Sequence, residues 1–156
     1  MEDVVRRVAR NVPVAVVRFD LKEVRKWDSP DTLQLDSLAG RRAVVVSAIG
    51  DPGAFEAQLD ATGLKVDAVR FPDHHPFDPW QVTALADHGR TADIVLCTLK
   101  DAVKLGPRWP AGAPPLWYVS QRVTIERGGD VIARLLDGLL ERRGVSTSRP
   151  PMREGR

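Results

Sequence analysis

The chain has 156 residues, of which 43% are hydrophobic and 28% charged, a composition typical of one globular domain with a substantial core. Its 23 Lys and Arg nearly balance its 21 Asp and Glu, so the formal charge of +2 does not indicate a nucleic-acid partner. The single cysteine provides no disulfide framework, and no apolar run approaches the length of a membrane-spanning helix. We therefore expect a cytoplasmic protein without a nucleic-acid partner, and leave open a contact with a membrane surface.

The first quarter of the chain has weak structural signals. Apolar residues within 4–9 share one face of a short predicted helix. Residues 14–19 are rich in β-branched side chains and predict a strand. The stretch 20–37 is polar and is predicted to be irregular, with a turn at 29–31.

From residue 42 onward, short apolar runs typical of buried strands alternate with helical patterns. The predicted strands are 43–48, 66–71, 93–97, 116–119 and 123–126. Helix starts are predicted at Asp51-Pro52, at Asp78 with Gln81 completing a capping box, and at Thr98. The pattern predicts an α/β layered fold with a mainly parallel sheet.

The last predicted helix is the clearest, because apolar residues recur at helical spacing while charged ones face outward. Its apolar positions are Val131, Ile132, Leu135, Leu136, Leu139 and Leu140. We expect residues 1–142 to form a single α/β domain. The remaining residues, 143–156, have no apolar periodicity and are expected to be a disordered tail.

Parallel sheets bind ligands beyond the carboxyl ends of their strands, where three loops of this chain should lie. One of them contains Asp73, His74 and His75. A histidine there can act as a general base, helped by a neighbouring carboxylate. Adjacent side chains rarely point the same way, so one histidine should enter a given site. The alternative is a polar loop in which Asp73 caps a turn.

The other two loops contain Gly50 and the segment 98–104. Lys100 and Lys104 lie four residues apart, so they share a helix face and can meet a phosphate group. The alternative is a capped turn with solvated lysines, in which Asp101 completes the cap. A single glycine before a helix is weak evidence for anion binding. The glycine-rich phosphate loop with its Lys-Ser/Thr pair is not in this sequence. No set of ligands with metal-site spacing is found, and His88 has no partner in view, so we expect no metal site.

Taken in order, these loops resemble those of one family. Residues 48–55 (AIGDPGAF) are similar to its Gly-Ile-Gly-x-Pro-x-x-Phe segment, and residues 71–77 (FPDHHPF) to its Asp-His segment. Residues 98–104 (TLKDAVK) are similar to its Thr-Glu-Lys-Asp-Ala-Val-Lys segment, and residues 115–119 begin its closing strand pair. The family is tetraacyldisaccharide 4′-kinase, which phosphorylates a lipid A precursor with ATP and Mg²⁺. The resemblance runs from about Pro13 to about Leu140.

The resemblance implies that the chain is similar to the C-terminal half of a P-loop-type kinase. The main ligands of ATP and Mg²⁺ would then lie in a complementary N-terminal half, and this chain alone would be inactive. A truncated or split gene, or a miscalled start, is the expected reason. The implied substrate is a lipid A disaccharide precursor. His74 matches the family's histidine, which helps a catalytic aspartate of the other half; Asp73 and His75 are lesser candidates.

The implied substrate or nucleotide cleft contains Gly50, Lys100 and Asp101. Two positions depart from the family pattern: Ala48 replaces its first glycine, and Leu99 replaces its usual glutamate. Two other functions remain open. The chain can be a binding module without catalytic activity, or, less favoured, a metal-dependent phosphoesterase of the class with an Asp-His-His motif.

Overall fold

The computed structural model describes Arg7 and residues 12–143. In that part of the chain the strands are β1 (Val16–Lys26), β2 (Thr32–Leu33), β3 (Arg42–Ser47), β4 (Lys65–Arg70), β5 (Ile94–Thr98) and β6 (Leu116–Arg127). The α-helices are α1 (Pro52–Asp60), α2 (Pro79–Gly89), α3 (Leu99–Leu105) and α4 (Gly129–Arg142), with 3₁₀ turns at Leu35–Leu38 and Gly106–Arg108.

The strands of the described residues form one six-stranded sheet in the order β2-β1-β6-β5-β3-β4. The pairs β3–β4, β3–β5 and β5–β6 are parallel, whereas β1 and β2 are antiparallel. The predicted α/β fold with a mainly parallel sheet is therefore confirmed. Because β3 is covered on both faces, five of its six residues are buried, as its apolar sequence predicts.

Each face of the sheet carries its own hydrophobic core. On one face Val44 and Val46 of β3 belong to a buried cluster with Val82 of α2 and Leu105 of α3. On the other face the alternate residues of β3 belong to a cluster with Phe55 and Leu59 of α1. The period-two alternation of the strand thus assigns α2 and α3 to one layer and α1 to the other.

The predicted helix starts are confirmed by their caps. Asp51 Oδ1 accepts a hydrogen bond from the Ala54 amide at 3.0 Å, and Pro52 begins α1. Gln81 Oε1 accepts from the Asp78 amide at 2.8 Å, as a capping box requires. These caps fix where the chain leaves the sheet edge and enters each helix.

Two predicted elements were wrong. The stretch 20–37 is not irregular: β1 continues to Lys26, and the chain returns after the predicted turn as β2. Lys22 and Arg25 of this strand are exposed, whereas Val24 of the same strand is fully buried. The two predicted strands after residue 115 are one strand, β6, which lies between β5 and β1 in the sheet. Near its middle, Ser120 Oγ donates to the Glu23 carbonyl of β1 at 3.2 Å.

Contacts within the chain fall into two compact units, Phe19–Arg122 and a unit formed by Met1–Arg18 with Val123–Arg156. In the second unit, Gly128 precedes α4 with φ +76°, and a Cβ there would lie 2.5 Å from the Val14 carbonyl oxygen. Helix α4 is confirmed, but Leu135, Leu136 and Leu139 are more than half exposed. The domain bounds stay predictions. The predicted helix within 4–9, apart from Arg7, and residues 144–156 lie outside the described residues.

Candidate functional site at the carboxyl edge of the sheet

The parallel register brings the three predicted loops to one edge of the sheet, in the unit Phe19–Arg122. Asp101 connects two of them: its Oδ2 accepts from the Ala48 amide at 3.0 Å and from Thr98 Oγ1 at 2.8 Å. Gly50 lies beside the third, since a Cβ built on it would be 3.9 Å from Asp73 Oδ2. All three loops therefore meet around Asp73.

Asp73 and His74 form the exposed part of the loop after β4, with 45% and 78% of their side chains accessible. The His74 amide donates to Asp73 Oδ1 at 2.9 Å, while Asp73 Oδ2 lies 3.7 Å from His74 Nε2. His74 has a backbone φ of +62°, in the left-handed region that few non-glycine residues adopt. Such conformations concentrate at functional sites, where the surroundings hold them.

Lys100 supplies the charge beside this pair. Its Nζ donates to Asp73 Oδ1 at 2.6 Å. This hydrogen bond is the largest cause that lowers the pKa of the Asp73 carboxyl below its ordinary value, and the charge of His74 acts in the same direction against partial desolvation. Asp73 is therefore an ionised acceptor whose two oxygens have different neighbours: Lys100 and the His74 amide on one, the His74 imidazole near the other.

His75 is packed rather than exposed. Its ring stacks on Phe71 with 4.7 Å between centroids and meets Phe77 edge-on at 5.2 Å. Its Nε2 lies 2.9 Å from Gln81 Oε1, and its carbonyl accepts from Lys104 Nζ at 2.9 Å. The prediction that the two histidines point in different directions agrees with this arrangement, in which His74 is the accessible ring.

The two lysines of α3 share one face, as their spacing predicts, but they bind the loop rather than an open phosphate position. Lys100 holds Asp73, and Lys104 holds the His75 carbonyl with its Nζ 5.8 Å from the Phe77 ring centroid. No local pattern predicts these partners, because they depend on the distance between the ends of β4 and β5.

A cavity of about 420 Å³ opens beside the Lys100 side chain. Its apolar lining comes from Ile49, Phe55, Leu99 and Val119, and its polar lining from Thr98, Lys100, Ser120 and Gln121. The volume is in the range of small-molecule sites. Sequence reasoning identified Lys100 as a site residue but gave no site role to Phe55, Val119 or Gln121, which come from α1 and from the first half of β6 and lie far apart in sequence.

Asp101 lies within the protein rather than in an open cleft. It is fully buried, and its Oδ1 has no hydrogen-bond partner among the described residues. Its Oδ2 contacts, described above, join the end of β3 to the start of α3. The Asp101 carboxylate therefore has a structural role in the site, because it fixes the start of α3, the helix that carries Lys100.

No cluster of three or more His, Cys, Asp or Glu side chains suited to a metal ion occurs within residues 12–143. His88, for which the sequence suggested no partner, pairs with Asp67 at 2.9 Å. Across the same residues no helix has the length and apolar character needed to cross a membrane.

Comparison with known proteins identifies the family. Residues 2–140 match the model of the tetraacyldisaccharide-1-P 4′-kinase family. The tetraacyldisaccharide 4′-kinase of Rhodopseudomonas palustris strain BisB5 is 37% identical over 73% of this chain and 33% of its own length. That of Anaeromyxobacter dehalogenans strain 2CP-1 is 38% identical over 68% of this chain and 29% of its own length.

A crystal structure of LpxK from Aquifex aeolicus in complex with ATP matches 85% of this chain and 36% of that one, with 26% identity and a TM-score of 0.47. The chain spans about a third of the length of the curated relatives it matches. Because the family model matches nearly all of its residues, the chain belongs to the tetraacyldisaccharide 4′-kinase family.

Proposed function

We propose that this chain forms the acceptor side of a lipid A 4′-kinase site, in which His74 helps to remove the proton from the sugar 4′-hydroxyl. The single observation that carries the proposal is the geometry of His74. It is an exposed imidazole at the carboxyl edge of a parallel sheet, with an ionised aspartate 3.7 Å from its Nε2. Family membership supplies the reaction class. His74 is chosen as the reactive residue because it is the position that resembles the histidine of the family's Asp-His segment.

The proton must leave the hydroxyl oxygen as that oxygen attacks phosphorus, so an acceptor within hydrogen-bond reach lowers the barrier. The exposed ring of His74 can approach a bound sugar hydroxyl directly. It can also approach the catalytic aspartate of the other half, which would then take the proton with its help. The negative charge of Asp73 stabilises the imidazole as it becomes positive. His74 thus holds a proton, and Asp73 supports the charge that results.

The cavity beside Lys100 and the position of Gly50 next to Asp73 support a cleft for the acceptor at this edge. We assign Lys100 and Asp101 to organising that cleft. ATP and Mg²⁺ belong to the proposed reaction through the family, and we propose that their main ligands are supplied by residues outside this chain. A complementary kinase half, either on the same polypeptide or on another, is the proposed partner. A peripheral position at the inner membrane follows from the lipid nature of the proposed substrate.

The experiment compares the 156-residue chain alone with the chain supplied with the phosphate-loop half of a relative. We expect no ATP hydrolysis and no phosphoryl transfer from the chain alone, since positioning of the transferring phosphate provides most of the catalysis in this reaction class. Adding the other half should give transfer to a tetraacyldisaccharide acceptor. Turnover by the purified chain alone would contradict the proposal that the phosphates and Mg²⁺ are bound by residues outside this chain.

The same experiment decides between the kinase and a non-catalytic binding module. A module would bind the acceptor or the other half without restoring transfer. The phosphoesterase class is less favoured still, because the chain belongs to a kinase family and the His75 ring packs against Phe71 and Phe77 and lies beside Gln81.

A further inference from the structure

We propose that Lys100 and Lys104, the lysine pair of α3, are positioning residues that hold His74 in place from both sides. The inference rests on the proposed function of His74 and concerns how the chain keeps an exposed ring in one orientation. Neither lysine contacts the His74 side chain in the described structure. Each binds the residue on one side of it.

The first contact acts before His74 in sequence. Lys100 Nζ and the His74 amide both donate to Asp73 Oδ1, at 2.6 and 2.9 Å. Two donors on one oxygen fix the rotation of the carboxylate, which leaves Oδ2 directed toward the imidazole. A charge-assisted bond of this length is among the stronger hydrogen bonds. Without Lys100, the carboxylate can turn and release the His74 amide.

The second contact acts after His74. Lys104 Nζ donates to the His75 carbonyl at 2.9 Å. The His75 ring is already held by Phe71, Phe77 and Gln81, so this bond fixes the backbone at a residue whose side chain is packed. His74 therefore lies between two anchored neighbours.

Such anchors are needed because the His74 backbone is in an unfavourable conformation. A non-glycine residue at φ +62° is in the strained left-handed region and persists only where its surroundings hold it. Its own side chain is 78% exposed and provides little packing. The restraint must therefore come from contacts made by its neighbours.

The lysine pair has a rigid base. Helix α3 is capped by Thr98, and Asp101, Ala102 and Leu105 on its other side are fully buried. Lysine side chains are flexible, but their starting points on this helix are fixed. The lysine pair can thus hold the loop at a fixed position relative to the sheet edge. The exposed residues of the loop cannot do this by themselves.

The test uses the full 156-residue chain and four substitutions. Lys100→Met and Lys104→Met each remove one ammonium group and keep the side-chain length. Lys65→Met is the matched control, because Lys65 begins β4 at the opposite end of that strand from the loop. Lys100→Arg restores a charged donor.

Amide hydrogen exchange and ¹⁵N relaxation of His74 are measured by NMR. We expect exchange of the His74 amide to become roughly tenfold faster in Lys100→Met, with a lower heteronuclear NOE, because its acceptor is no longer fixed. Lys104→Met should lower the NOE at His74 and His75. Lys65→Met should match the wild type, and Lys100→Arg should recover most of the order. Unchanged exchange and NOE in both α3 variants would overturn the proposal.

In the kinase restored with its other half, Lys100→Met should lower kcat by roughly tenfold with little change in KM, since misplacing a catalytic group affects turnover more than binding. The positioning role would be overturned if Lys100→Met lost the order of His74 but kept full kcat, while His74→Ala inactivated the enzyme. An enzyme that His74→Ala leaves fully active would instead refute the proposed function of His74, while the NMR result would still decide whether the lysine pair holds the loop.

Discussion

The two halves of the loop after β4 are adjacent in sequence and opposite in environment. Asp73 and His74 are exposed and held by charged hydrogen bonds, whereas His75 and Phe77 are held by aromatic packing. Phe77 is only 1% exposed. This difference shows that the loop is divided between a packed anchor and an exposed part, which is the proposed reactive part. Packing of the second half allows the first half to remain accessible without losing its position.

The largest expected effect is on the anchor. Phe77→Ala should lower the free energy of unfolding by about 3–5 kcal/mol, because it empties a buried position in contact with Phe71, His75 and Lys104. The measurement is urea unfolding followed by circular dichroism. Trp80→Ala is the control, since that side chain is exposed on the adjacent helix and its removal should cost much less. Equal losses in both variants would mean that Phe77 does not anchor the loop.

His75→Ala should have an intermediate effect of about 1–2 kcal/mol, from a lost aromatic contact and the bond to Gln81. His74→Ala should change stability by less than about 0.5 kcal/mol, since its side chain is exposed. From the sequence alone we expect neither histidine to affect stability greatly, and the packing of His75 revises that expectation. Thermal melts of both variants provide the comparison, and a larger loss for His74→Ala would reverse the assignment of anchor and reactive part.

A smaller effect concerns acid titration of the exposed half. The Lys100 hydrogen bond lowers the pKa of the Asp73 carboxyl, so the stabilising pair is complete above the ordinary aspartate range and is lost as pH falls through the lowered folded-state value. In Lys100→Met the carboxyl should titrate at a higher pH than in the wild type. Carboxyl ¹³C shifts recorded from pH 2 to 6 measure this directly. The same midpoint in both proteins would show that the bond is not populated in solution.

The smallest effect is expected from removing the last residues of the sequence. A chain ending at Arg143 should keep its thermal midpoint within a few degrees, because the sequence after that residue has no apolar periodicity with which to offset the entropy of ordering it. Calorimetry of the two chain lengths tests this. A clearly lower midpoint for the shorter chain would assign residues 144–156 to the folded domain.

Local patterns in the sequence predicted much of the fold and some of the site. Continuous apolar runs predicted β3 and β5, and the caps at Asp51 and Asp78 predicted the starts of α1 and α2. The same approach failed for β1 and β6, since strand pairing between distant segments overrides the polar composition of a single segment.

In the site, spacing predicted that Lys100 and Lys104 share a face, and position predicted that the loop from Asp73 to His75 lies at the sheet edge. The partners of the lysines could not be predicted, because they join residues 27 and 29 positions apart in sequence. The different environments of the two histidines could not be predicted either, because they depend on how the loop folds: Phe71 and Phe77 pack against the His75 ring, and Phe77 belongs to a buried core cluster.

The most direct test of the central claim is the kcat of His74→Ala and His75→Ala in the kinase restored with its phosphate-loop half, with melting curves as a control for folding. The account predicts that His74→Ala lowers kcat by roughly 10²-fold or more, the usual scale for assistance to proton transfer, at nearly unchanged stability. His75→Ala should lower kcat much less at temperatures where both variants are folded. Equal activity of the wild type and His74→Ala would contradict the account, and loss of the fold in His74→Ala would make the role of this residue structural.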